Sequence, residues 1–209
     1  MNRTNIEWCD YTWNPIKGCR NGCSYCWAKR MNDRFKFIPD FEKPVFFPSA
    51  LREPGSLKTP SKIAVCLMGD IFSPGVQDDW INRVLYTCRT SNHIFMLLTK
   101  FPVRYYEFDI PSNCWIGVSA ADYRDAHRIN VLSSICCKYA KFVSIEPLLG
   151  SMEGVDLSNM DYVFVGAQTG PGAIAPEREW IQSIKHPNIL WKENIKKYLP
   201  IQAGGTGAK

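Results

Sequence analysis

The 209-residue chain is 45% hydrophobic and 22% charged, with 25 Lys and Arg against 20 Asp and Glu for a formal charge of +5, a composition that excludes disordered and fibrous classes and predicts one domain over residues 1–209. No apolar run approaches the ~20 residues needed to cross a bilayer, and residues 1–5 open on polar groups rather than a signal segment, so a cytoplasmic protein is expected, with no membrane partner. The mild positive charge permits an anionic partner without demanding one, because both signs are interleaved along the sequence.

In chain order, residues 11–16 read as an opening strand. Next comes Gly18-Cys19-Arg20-Asn21-Gly22-Cys23-Ser24-Tyr25-Cys26-Trp27, where three cysteines have the spacing C-x3-C-x2-C. Three thiolates this close on one loop wrap one face of an iron–sulfur cubane and leave one iron without a protein ligand, whereas a closed cluster or a structural zinc needs a fourth ligand. Gly18 and Gly22 allow the tight backbone path. The zinc alternative would recruit Cys9, which has no second C-x2-C knuckle to pair with. Residues 28–37 carry Met31 and Phe35 at helical spacing among Lys29, Arg30, Asn32, Asp33 and Arg34, and read as a helix leaving the loop. Residues 38–62 hold five prolines, at 39, 44, 48, 54 and 60, and read as a long irregular connection, either a plain surface loop or a lid or partner surface.

From residue 63 onward, apolar runs at 63–68, 94–98, 115–118, 142–145, 162–165 and 189–191 suit buried strands. Helix-like stretches lie between most of them, including 78–88 with Trp80, Ile81, Val84, Leu85 and Cys88, and 121–137 with Ile129, Leu132 and Ile135. This alternation predicts an α/β protein with a parallel sheet and outer helices. About seven units, in a chain shorter than the ~250 residues of a full barrel, predict a partial or open TIM-like (β/α) barrel. The cysteines outside the loop, at 9, 66, 88, 114, 136 and 137, are scattered rather than framed as disulfides, which fits a reducing compartment. Cys136 and Cys137 are expected at the buried end of a helix.

Polar groups follow each run, at Gly69-Asp70, Thr99-Lys100, Ser119, Glu146-Pro147, 166–170 and Lys192-Glu193, and in a parallel barrel these ends share one face. Lys100, Glu146, Gln168 and Lys192 are therefore candidates to face a substrate; a Lys100–Glu146 ion pair is the alternative for two of them. His93, His127 and His186 stand apart from other ligands and are assigned no metal.

The cysteine loop after a first strand, with Tyr25 just before the last cysteine, resembles the signature of the radical S-adenosylmethionine superfamily. That resemblance implies a [4Fe-4S] cluster on Cys19, Cys23 and Cys26, with S-adenosylmethionine on the open iron. It implies release of a 5'-deoxyadenosyl radical that takes hydrogen from substrate, and a reductant such as a flavodoxin or ferredoxin. Cofactor-binding roles follow for Tyr25, for Met68-Gly69-Asp70, for Ser119 at the ribose and for Gly166 near adenine or carboxylate. Asp70 would accept the cofactor ammonium or, alternatively, cap a helix; Ser119 could equally cap a helix near Ala121.

Ile6-Glu7-Trp8, Trp13-Asn14-Pro15, Asp70-Ile71-Phe72, Leu98-Thr99-Lys100, residues 115–119, residues 142–150 and Gly170-Pro171-Gly172 are similar to a phage-associated three-cysteine-motif family whose reaction is not established. This chain departs from that pattern at Phe101, at Ala167-Gln168-Thr169 and at Lys192-Glu193-Asn194, so the departures fall on substrate contacts rather than on the cluster. The substrate stays open among a nucleotide, nucleic acid or modified base, to which Arg30, Arg34 and Trp27 are suited, and a peptide or small metabolite. Two other classes remain open, a non-catalytic zinc or iron–sulfur module completed by Cys9 and a simple electron carrier.

Overall fold

Ten strands and five α-helices make up a computed structural model of the chain, which describes residues 1–136 and 138–199. The strands are β1 (Asn2–Arg3), β2 (Tyr11–Trp13), β3 (Ile16–Lys17), β4 (Val45–Phe46), β5 (Lys62–Val65), β6 (Ile94–Thr99), β7 (Cys114–Ala120), β8 (Lys141–Ile145), β9 (Tyr162–Val165) and β10 (Ile189–Trp191). Eight of them form one sheet in the order β1-β2-β5-β6-β7-β8-β9-β10, while β3 and β4 pair separately. Only β1 is antiparallel to its neighbour in the large sheet; every other pairing there is parallel. No ladder joins β10 to β1 among the described residues, so hydrogen bonding leaves two edges.

Parallel strands are buried on both faces, and here alternation along each strand feeds two separate cores. Ile63 and Val65, Phe95 and Leu97, Val143 and Ile145, and Val163 and Val165 enter the larger core. Their neighbours Ala64, Met96, Phe142 and Phe164 gather on the other face around Trp8 and Cys9. Trp8 stacks on Phe164 with ring centroids 5.5 Å apart, so the N-terminal segment packs on the face opposite the larger core.

Helices α1 (Trp27–Phe35), α2 (Asp78–Arg89), α3 (Ala126–Ser134), α4 (Arg178–Ser183) and α5 (Glu193–Lys196) complete the fold. Ile81, Val84, Leu85 and Cys88 bury one stripe of α2, which starts on Asp78 and Asp79 and ends on Arg89 as its dipole favours.

Several boundaries differ from the sequence reading for local reasons. The strand expected over 11–16 is split into β2 and β3 at Asn14-Pro15, because proline has no N–H for a ladder. The strand expected over 63–68 stops at Val65, since Cys66 turns the chain at φ 59°. Helix α1 ends at Phe35, where Lys36 adopts φ 53° and the Asn32 side chain holds both backbone groups of Ile38. The helix expected over 121–137 is α3 alone, preceded by a 3-10 turn that the Asp122 side chain caps. Ser119 therefore lies inside β7 and caps nothing. Cys136 is exposed beyond α3 rather than buried, and Cys137 lies outside the described residues.

Between β6 and β7 lies a 3-10 turn over Pro102–Glu107, and no helix separates β8 from β9. Residues 38–62 are stitched down rather than free as a lid: the Trp13 indole donates to Ala50 O at 2.8 Å, and His93 Nε2 lies 3.0 Å from Pro54 O. Among the described residues no helix is long and apolar enough to cross a membrane.

Gly117 in β7 faces Phe142 so closely that a Cβ there would lie 2.4 Å from the ring. Gly117→Ala should therefore lower the unfolding free energy by about 1–3 kcal/mol through overpacking, read by urea denaturation. The smaller ring-free side chain of Phe142→Leu, added to it, should recover part of that loss.

Candidate active site

Parallel pairing puts the C-terminal ends of β5 to β10 on one rim, and the cysteine loop reaches the same rim from β3. The join is a backbone contact: Gly18 bridges Gly69, and Gly18 N donates to Met68 O at 3.0 Å. Met68 N in turn donates to Asn14 Oδ1 at 2.8 Å, so the split strand and the end of β5 hold each other.

All three loop cysteines are unpaired thiols of intermediate burial. Asn21 donates its amide Nδ2–H to Cys23 Sγ at 2.9 Å and its backbone N–H to Cys19 Sγ at 3.4 Å. Cys26 is the N-cap of α1 and accepts Lys29 N at 3.3 Å. Burial pushes the Cys19 thiol up to about 11 and also raises Cys26, with Cys23 near enough to add to both.

Among the described residues no three His, Cys, Asp or Glu side chains converge on one point. The donor set nevertheless fits a three-thiolate cluster in its chemistry. It supplies three free sulfurs, N–H donors to each of them, and a helix N-terminus where negative charge is favoured, with metal binding left to draw the sulfurs together. Cys9 is excluded from that set, because it packs with Trp8, Ala64, Met96 and Phe142, whereas Cys19 and Cys26 pack with Ala28, Ile38 and Phe41.

Asp70 is fully engaged in holding the rim. Its buried carboxylate accepts the Thr99 hydroxyl and Phe72 N on Oδ1, at 2.8 and 2.9 Å, and Lys100 N on Oδ2 at 2.8 Å. Burial holds its carboxyl above the usual range, although these donors oppose the shift. Asp70 thus ties the end of β5 to the end of β6, and it caps no helix.

The substrate-face candidates divide into two groups. Lys100 donates to the Tyr25 hydroxyl at 2.6 Å and lies over its ring. Burial works against the Lys100 charge, but Tyr25 and Cys23 outweigh it and raise the lysine above its usual value. These two residues, with Cys23, Asp122, Arg124 and Arg128, border a polar pocket of about 300 Å³ beside the cysteine loop.

On the other side, Lys192 Nζ lies 2.7 Å from Glu146 Oε2 and 3.4 Å from Glu7 Oε2, so Glu146 pairs with Lys192 rather than with Lys100. Burial opposes the Lys192 charge; Glu146 and Glu7 prevail and raise it. The Trp8 indole donates to Glu146 Oε1 at 3.0 Å, and the Ser144 hydroxyl donates to the same oxygen at 3.2 Å. Gly166 sits under this cluster, where a Cβ would lie 3.1 Å from Lys192 Cδ and 3.2 Å from Glu146 Cγ. Gln168 instead braces the next turn, its Oε1 accepting Ile174 N at 2.9 Å. Ser119 is buried in β7, and its carbonyl accepts a guanidinium N–H of Arg128 at 3.1 Å.

Lys192 also borders a cavity of about 640 Å³, with Met68, Leu67, Trp27, Met31 and Thr169 among its other walls. Its size is that of a small-molecule site. Glu7, Trp8 and Asn21 are site residues beyond those the sequence predicts. Asn21 was legible from its place between the first two cysteines, while the Glu7–Lys192 pair spans 185 residues and left no local signal.

The profile of a family described as "Protein of unknown function (DUF5131)" matches residues 3–192. The chain belongs to this family. No curated protein and no solved structure matches it. The DUF5131 span takes in β2 through β10, the cysteine loop and both ends of the Glu7–Lys192 pair.

The three donors that Asp70 satisfies make a testable difference between a structural and a ligand-binding carboxylate. Asp70→Ala should lower stability by about 3–5 kcal/mol in urea unfolding, because it leaves buried donors without an acceptor. Unchanged stability would return Asp70 to a ligand role.

Proposed function

We propose that the chain is a radical S-adenosylmethionine enzyme whose active site is the rim between the cysteine loop and the Glu7–Glu146–Lys192 cluster. The observation that carries this reading is the placement of three free thiols, each accepting an N–H, beside a cavity of about 640 Å³ at the C-terminal ends of parallel strands. Active sites of β/α folds are assembled at those ends. The sheet reads as an open TIM-like barrel, supported by strands that follow one another in chain order and by Trp8 filling the face opposite the larger core.

In this reading Cys19, Cys23 and Cys26 hold a [4Fe-4S] cluster, and Met68 and Gly69 line the approach to it. Bound there, the cluster and S-adenosylmethionine supply one-electron cleavage of a carbon–sulfur bond and hydrogen-atom abstraction from substrate, the electron coming from a flavodoxin or ferredoxin. Such chemistry suits the reducing cytoplasm.

The protein's own groups position and shield. Tyr25 and Lys100 fix the outer side of the loop through their 2.6 Å hydrogen bond. Lys100 puts an ammonium on the 300 Å³ pocket, whose two arginines, Arg124 and Arg128, are paired with Asp122 and Asp125. At the cavity wall, Lys192 presents an ammonium braced by two carboxylates, with an N–H left for a carbonyl or hydroxyl oxygen of the substrate. Glu146, already bonded to Trp8 and Ser144, orients Lys192. Gln168 shapes the far wall by bracing its turn.

Anaerobic reconstitution followed by reductive incubation with S-adenosylmethionine tests this reading. The wild-type chain should release 5'-deoxyadenosine and methionine; Cys23→Ala should abolish release, and Cys136→Ala should leave it unchanged. A cluster that changes oxidation state without any cleavage would make the chain an electron carrier instead.

A further inference from the structure

We infer that the outer wall of the cavity is a platform for single-stranded nucleic acid, with an unpaired base entering the cavity and the backbone running along α1. Of the nine large hydrophobic side chains that stand exposed among the described residues, three fall within eleven residues here: Trp27 at 54%, Phe35 at 50% and Phe37 at 43%. Leaving such rings in water forgoes their burial, and a cluster of them marks an interaction surface.

The rings sit among cations. Arg34 lies 5.0 Å from the centre of the Phe35 ring, and Lys17 Nζ lies 5.2 Å from Phe37 and 4.7 Å from Phe47. From Trp27 to Lys36 the chain carries Lys29, Arg30, Arg34 and Lys36 against Asp33 alone, four positive charges to one negative. Only Lys29 of these four is in an ion pair among the described residues, with Glu42 at 2.9 Å. Arg30 approaches the 170–172 turn, its Nη2 lying 3.7 Å from where a Cβ on Gly170 would be.

Aromatic faces beside guanidinium and ammonium groups match the two surfaces of a single strand, base faces and phosphates. Trp27, Met31 and Phe37 also line the cavity, and Asn2, Thr4 and Asn14 give it amide and hydroxyl groups of the kind that bond base edges. A duplex hides its base faces, so it satisfies only the cations. A lipid surface would satisfy the rings but would leave Asn2, Thr4 and Asn14 of the cavity without partners, and α1 is only nine residues long. This substrate class rests on the rim being the working site, but it does not depend on the cluster chemistry.

Fluorescence anisotropy with labelled 12-nucleotide single strands of DNA and of RNA tests the inference on the full chain, as purified and after reconstitution. At least one of the two single strands should bind more tightly than the duplex of the same sequence, with affinity falling as salt rises. Trp27→Ala and Phe37→Ala should each weaken binding by about 5- to 100-fold. Tyr86→Ala, removing an exposed ring from α2, should leave it unchanged. Circular dichroism and urea midpoints show whether each variant is folded; should Trp27→Ala unfold, Phe37→Ala carries the test.

Absence of single-strand binding, equal losses at Tyr86, preference for duplex, or binding only to vesicles of anionic lipid would each overturn the inference. Because binding needs no cleavage of S-adenosylmethionine, a negative result here leaves the reaction assignment standing. Conversely, binding without any cleavage would remove that assignment and keep the platform.

Discussion

Gly18 and Gly69 lie so close that a Cβ on Gly69 would stand 2.4 Å from Gly18 O, while a Cβ on Gly18 would stand 2.8 Å from Phe41 O. This backbone approach fixes where the cysteine loop sits against the sheet. Gly18 takes φ +99°, which only glycine adopts at low cost, and Cys66 at φ 59° turns the end of β5 toward the same point. Asp70 then locks that end to β6 through Thr99 and Lys100. Sheet, loop and the lysine beside Tyr25 are therefore one mechanical unit, and a shift of the Gly18–Gly69 contact would move every group on the cluster side of the rim.

A second constraint acts across the opening of the sheet. Glu7 precedes β2 and Lys192 follows β10, and the pairing of Lys192 with both Glu7 and Glu146, together with the bond from Glu193 N to Glu7 Oε1 at 3.0 Å, spans the gap that no ladder closes among the described residues. Trp8 contributes both its ring to the inner core and its N–H to Glu146, so apolar filling and ionic pairing act at the same place. Asn194 extends the link by holding both backbone groups of Ala167. Side chains thus do at the rim what backbone hydrogen bonding does elsewhere, and they leave Lys192 positioned at the cavity wall.

The regular part of this architecture was legible because it is written locally. Apolar runs such as 142–145 and 162–165 became β8 and β9 almost unchanged, and the stripe from Ile81 to Cys88 became the buried side of α2. Parallel order then followed from alternation, and it put Lys100, Glu146 and Lys192 on one rim as the residue types after each run suggested. What the sequence hid was long-range. Tyr105, in the 3-10 turn between β6 and β7, bonds the backbone at Leu97 and Gly117 through its hydroxyl, a cross-strand contact with no local signal. Lys100 is the partner the sequence offers Glu146, yet Lys192 takes that place, because charge pairing depends on which strand ends are adjacent in space. Asp70 reads as a ligand in the motif and as a structural clamp in the fold, and only its three donors separate the two.

Cluster ligation by Cys19, Cys23 and Cys26 with one iron left for a ligand is the claim on which the functional reading turns. Electron paramagnetic resonance of the anaerobically reconstituted and reduced chain, before and after addition of S-adenosylmethionine, tests it most directly. The account predicts about four irons and four sulfides per chain, a [4Fe-4S]+ signal, and a change in that signal when S-adenosylmethionine is added. One tightly bound zinc, or a cluster signal that S-adenosylmethionine leaves unaltered, would contradict it.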